Sequence, residues 1–153
     1  MPFYKQSIEA FKNMKEYQVI LSIGKYHKVE ELGELPDNIF AYNYVPQLQV
    51  LKQTDVFITH GGINSINEAL FLFKLPLIII PQDSEQFDNS LLVEKFNAGI
   101  YLKEDNLTPE ILKDSVIKFL ENKNGYIKGI DSIVDSFNEA RKDRKKIYER
   151  IFD

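Results

Sequence analysis

Apolar residues recur every three or four positions at Phe3, Tyr4, Ile8, Phe11 and Met14, which predicts an amphipathic helix over residues 3–15. The pattern then changes period. "YQVILSIG" is a short apolar run stopped by Gly24, and "IFAYNYV" (39–45) follows the turn residues Pro36, Asp37 and Asn38. Both read as strands. A helical piece over 47–53 leads to the strand "DVFITH" (55–60), a helix over 64–74 and the strand "LIIIP" opened by Pro76. Residues 85–97 predict another helix, which Gly99 breaks before the short strand "GIYL". Thr108 is placed to cap a further helix with Pro109 at its first position. A last helix is predicted over about 129–150, with Tyr148, Ile151 and Phe152 packing beneath a solvated, charged face. Strands that alternate with helices predict an α/β fold: a Rossmann-like parallel sheet with helices on both faces. The first element along the chain is a helix.

Composition narrows the function classes. The 153 residues are 44% hydrophobic and 27% charged, which suits a single domain, residues 1–153, with its own core. A net charge of -4 argues against a nucleic-acid partner, which needs a basic face. With no cysteine there is no disulfide, thiol nucleophile or cysteine metal site, and a cytoplasmic location is expected. No apolar run reaches the roughly 18 residues of a membrane span, and the N-terminus is too interrupted by charge for a secretion signal. His27 has no partner at metal-ligand spacing, so no metal is expected.

In open α/β sheets, ligands bind beyond the carboxyl ends of the strands. Three polar clusters fall there: "YVPQ" (Tyr44–Gln47), "HGGINS" (His60–Ser65) and "PQDSEQFDN" (Pro81–Asn89). Gly61 and Gly62 allow backbone amides to approach a ligand, and Asn64 or Ser65 is placed to cap the following helix. A helix start of this kind suits a phosphate or diphosphate. His60 adds a donor, and Glu68, one turn on, can accept from a pair of sugar hydroxyls. The alternative is an ordinary strand-to-helix turn with a capped helix. Neither a Walker loop nor the GxGxxG dinucleotide fingerprint is present.

In order, "YVPQLQVL", "VFITHGGINSINEAL" and "PLIIIPQDSEQFDN" resemble the donor-binding segment of the GT-B UDP-glycosyltransferases of the macrolide and plant type. The family pattern is Trp-x-Pro-Gln, His-x-Gly-x-Asn-Ser-x-x-Glu, then Asp/Glu-Gln-x-x-Asn. The resemblance implies that Tyr44, at the tryptophan place, stacks on uracil, that the backbone of Val45 reads the uracil edge, and that Gln47 contacts ribose. It implies that His60, Gly62, Asn64 and Ser65, with the Gly61 backbone, hold the diphosphate, and that Glu68 takes the ribose hydroxyls. Glu85 and Gln86 are implied to bind the donor sugar. Asn89 stands at the motif's asparagine, with a plain helix-face role as the alternative. Two departures stand out. Ile63 replaces the tryptophan of plant members, and Lys74 takes the place of a glycine in a helix one residue longer.

The resemblance further implies a UDP-sugar substrate, no metal or other cofactor, and a hexosyl transfer to an acceptor hydroxyl. The general base and acceptor pocket of such enzymes belong to an N-terminal lobe. No residue of this sequence is assigned as catalytic, and the chain is expected to bind UDP-sugar while being inactive alone. Two other readings stay open: a donor-binding subunit whose acceptor lobe is a separate polypeptide, and a non-catalytic nucleotide- or protein-binding module. Family members carry a strand before the first helix of this lobe, where this sequence begins. The strands at 18–24 and 55–60 are therefore expected to flank a gap, and either to pair directly or to be paired by a second copy of the chain.

Overall fold

A computed structural model describes the backbone of residues 2–152 and the side chains of residues 2–142. In chain order the elements are helix α1 (Pro2–Phe11), strands β1 (Val19–Ser22) and β2 (Ile39–Tyr42), helix α2 (Gln47–Leu51), strand β3 (Phe57–Thr59) and helix α3 (Ile63–Asn67). Strand β4 (Leu77–Ile79), helix α4 (Ser84–Lys95), strand β5 (Gly99–Tyr101) and helices α5 (Pro109–Glu121) and α6 (Lys123–Phe152) complete the order. Short 3-10 turns at Val29–Leu32 and Glu104–Asn106 were not predicted.

The fold is α/β, and every strand pair is parallel. The strands form two sheets, β1-β2 and β3-β4-β5. Leu77, Ile78 and Ile79 of β4 have no solvent exposure, as the uninterrupted apolar run requires. Their side chains alternate. Ile78 and Ile80 enter a core with Leu21, Ile23 and Ile39 beneath α1 and α5, whereas Leu77 and Ile79 enter a second core with Leu51, Ile66, Val93 and Ile130 from α2, α3, α4 and α6. Burying each such side chain contributes about 1.5–3 kcal/mol. The face of β1-β2 away from the first core carries Ile20, Phe40 and Tyr42, all exposed.

Direct pairing of the strands at 18–24 and 55–60 does not occur: β1 pairs with β2 and β3 with β4. Side chains bridge the two sheets instead, since Leu21 and Ile23 share the first core with Ile78 and Ile80. That packing requires no ladder between β1 and β3.

Helix ends depart from the pattern for identifiable reasons. Helix α1 stops at Phe11, short of the predicted 15, because buried Asn38 Nδ2 donates to the carbonyls of Phe11 (3.0 Å), Met14 (3.1 Å) and Tyr17 (3.3 Å). These bonds satisfy carbonyls that a continuing helix would otherwise use. Thr108 caps α5 as predicted, its Oγ1 accepting from Ile111 N at 3.2 Å. Helix α6 begins at Lys123 rather than 129, anchored by Tyr126 stacked on Phe119 at 4.4 Å. The expected packing of Tyr148, Ile151 and Phe152 lies outside the described side chains.

The segment after β3 runs as α3 and then widens into a π-helical turn, Glu68–Leu72, a form that accommodates an additional residue within a helix. It closes at Lys74, whose φ of 48° lies in the left-handed region. A glycine adopts that conformation without strain, which accounts for the glycine expected there. Lys74 Nζ donates to Asp131 Oδ1 at 2.6 Å, tying this corner to α6.

Candidate functional site

The three polar clusters leave the carboxyl ends of β2, β3 and β4. The first two are joined by side chains. Gln47, opening α2, donates through Nε2 to Glu68 Oε2 at 2.7 Å and to Ser65 Oγ at 3.2 Å. Gln47, Ser65 and Glu68 are all partly buried, so this contact is shielded from bulk water. Tyr44 stands at the rim, 81% exposed, with its ring free for stacking, and Val45 beside it is half-buried.

The centre of the site is the turn from β3 into α3. Gly61 has φ +92°, and a Cβ there would lie 2.7 Å from Ile79 Cγ2, so neither the backbone nor the packing admits a side chain. At Gly62 a Cβ would lie 2.9 Å from His60 Nε2, so the imidazole lies against the glycine. The His-Gly-Gly sequence thus folds the histidine ring back over its own loop. Helix α3 starts on Gly62 in an extended conformation without a side-chain cap. The expectation that Asn64 or Ser65 caps this helix is therefore corrected: both lie inside it, Asn64 exposed and Ser65 bonded to Gln47. A glycine at the cap has no side chain to satisfy the first amides, which leaves them for water or a ligand.

The third cluster opens α4. Asp83 caps it, with Oδ1 accepting from Gln86 N at 2.9 Å, while Gln86 Oε1 accepts from Gln82 N at 2.9 Å and its Nε2 donates to Asp83 Oδ2 at 2.6 Å. Asp83 is a side-chain N-cap, and Gln86 reaches back past it to the Gln82 amide, which engages both polar atoms of the Gln86 side chain. The Asp83-x-x-Gln86 spacing carried that signal in the sequence, although Asp83 was not singled out. Glu85 is exposed at the same helix start. Asn89, one turn further, donates through Nδ2 to the Gly61 carbonyl at 3.1 Å, which joins the third cluster to the second. Thr59 was also not anticipated: buried, it accepts the Gly61 N–H on Oγ1 at 3.3 Å.

An open groove of about 460 Å³ beside the site is lined by Asn67, Glu68, Phe71, Leu72 and Phe137. Among the described residues no three carboxylate, histidine or cysteine side chains group as metal ligands, and no helix is long and apolar enough to cross a membrane.

Residues 5–146 match the glycosyltransferase family 28 C-terminal domain. The chain belongs to that family. Two relatives from Bacillus subtilis (strain 168) are described as uncharacterized UDP-glucosyltransferases. YojK is 40% identical over 121 residues, covering 79% of this chain and 29% of YojK. YdhE is 37% identical over 149 residues, covering 97% of this chain and 37% of YdhE. The chain thus spans between 29% and 37% of these relatives' own length. Among solved structures, the glycotransferase of kitacinnamycin superposes with a TM-score of 0.79 at 34% identity, covering 86% of this chain and 34% of that one. The fold is that of the C-terminal part of GT-B glycosyltransferases, and side-chain hydrogen bonds join the three polar clusters at its strand ends.

Proposed function

We propose that this family 28 domain binds the UDP-sugar donor of a glycosyltransferase that moves a hexosyl group to an acceptor hydroxyl. The observation that carries the reading is the Gln47–Glu68 contact beside an α3 start that lacks a side-chain cap. It supports a ribose contact by these two side chains beside a helix start of the kind that suits a diphosphate. In this reading Tyr44 stacks on uracil and the Val45 backbone reads its edge. Gln47 and Glu68 share the ribose, while His60, Gly62, Asn64 and Ser65 receive the diphosphate. Glu85 and Gln86 face the sugar, with Gln86 exchanging part of its cap bonding for sugar hydroxyls. The descriptions of YojK and YdhE as UDP-glucosyltransferases support a UDP-hexose. UDP-sugar is the substrate, and no resident metal or other cofactor is assigned.

The helix start and His60 stabilise the charge that gathers on the departing diphosphate. Deprotonating the acceptor needs a base within hydrogen-bond reach of its hydroxyl. In this reading His60, folded against Gly62, serves the phosphate side, the base belongs to an acceptor-binding lobe, and these 153 residues are inactive alone.

The test is a UDP titration of the 15N-labelled chain. Amide shifts at residues 60–68, with Tyr44 responding, are expected. Shifts confined to α6, or no binding at millimolar UDP, overturn the donor reading and favour a protein-binding module. Transfer from UDP-glucose to an alcohol by the chain alone, abolished in His60→Ala, overturns the assignment of the base elsewhere.

A further inference from the structure

Both backbone polar groups of Gly61 are held by side chains from different elements. Its N–H goes to Thr59 Oγ1 on β3, and its C=O accepts from Asn89 Nδ2 on α4. Its Cα packs between Ile79 and the first turn of α4, where a Cβ would also lie 3.4 Å from the Gln86 carbonyl oxygen. Gly61 is buried, and each of its polar groups has a side-chain partner.

We infer that Asn89 is a positioning residue for diphosphate binding, which it serves by fixing the plane of the Gly61–Gly62 peptide. The inference rests on the donor-site reading above. A trans peptide is planar, with its C=O and N–H directed to opposite sides. Holding the Gly61 carbonyl against α4 therefore aims the Gly62 N–H away from α4. Gly62 is the residue on which α3 starts, so this plane also sets the direction of the first helical amides. A glycine at φ +92° has a wide range of nearby conformations open to it, and a side-chain anchor narrows that range. Asn89 lies one turn after Glu85 on the same face of α4, so the bond also fixes the start of that helix relative to the loop. Asn89 itself contacts neither phosphate nor sugar in this arrangement. It acts through Gly61.

Calorimetric titration of the 153-residue chain with UDP and with uridine, which lacks the phosphates, separates positioning from general damage. Asn89→Ala is expected to weaken UDP about tenfold, the effect of losing roughly one well-aimed hydrogen bond, while uridine affinity stays within about twofold. Asn89→Leu, closer in volume to asparagine, should behave alike. In both variants the Gly61 carbonyl 13C resonance should move in the direction of a lost hydrogen bond. Equal losses for UDP and uridine, or no loss of UDP affinity, overturn the role of Asn89 while leaving the donor site standing. Failure of both variants to fold makes Asn89 a structural residue and overturns the inference. A wild-type chain that binds uridine and UDP equally weakly sinks the diphosphate site itself, and that result is read before any variant is made.

Discussion

The Gln47 side-chain amide donates to the Glu68 carboxylate at 2.7 Å, across a separation of 21 residues. The pair connects the segment after β2 to the helix after β3, although those strands belong to different sheets. No backbone ladder aligns the two segments. A hydrogen bond to a charged group must supply part of that alignment.

Gln47→Ala should therefore lower stability by about 1–2 kcal/mol in urea unfolding, as should Glu68→Ala. The double variant should cost clearly less than the sum, with a coupling of about 1 kcal/mol. Strict additivity would show that the two side chains meet without stabilising each other.

Gly61→Ala meets two penalties, a left-handed φ and a Cβ 2.7 Å from Ile79 Cγ2. A loss of about 2–4 kcal/mol is expected from strain and overpacking together. Adding Ile79→Ala should not restore the wild-type midpoint, because it clears the clash, leaves the φ and opens a cavity. A Gly61→Ala chain as stable as wild type would contradict the turn geometry.

Lys74 has its pKa raised above the ordinary 10.5, chiefly by the hydrogen bond and charge of Asp131. A pKa raised on folding stabilises fully below the unfolded value and is lost as pH rises through the folded value. The stability difference between wild type and Asp131→Asn should therefore hold from neutral pH to about pH 10 and shrink above it. The pair is solvent-exposed, so the difference will be small and reduced by salt. Lys74→Gly relieves the left-handed backbone while losing the ion pair, and its melting temperature should stay within a few degrees of wild type.

β1 and β3 each keep an edge that is not paired with the other. An unpaired strand edge can take up a strand edge of a second copy of the chain. Sedimentation of the chain across a hundredfold concentration range should show self-association, with a melting temperature that rises with concentration. A monomer throughout, with a constant melting temperature, would dismiss that partner.

The sequence by itself determined the class and put three polar clusters at strand ends. Apolar runs such as Leu77–Ile80 mark strands buried on both faces, because only there can every residue be apolar. His60, Gly61 and Gly62 mark a strand-to-helix turn because few residues tolerate such close backbone packing. Thr108 with Pro109 marked a helix start through purely local chemistry. Tertiary structure alone decided the rest, because those features depend on groups far apart in the chain. Asn38 ends α1 through carbonyls more than twenty residues away, which no periodicity records. The division into two sheets follows from which strand edges meet, and the strands' own apolar pattern does not encode that. Gln47 and Glu68 each appeared in the sequence as polar residues near a strand end. Only folding brought them to 2.7 Å, and only folding set Asn89 against Gly61, turning a helix-face asparagine into the anchor of a buried peptide.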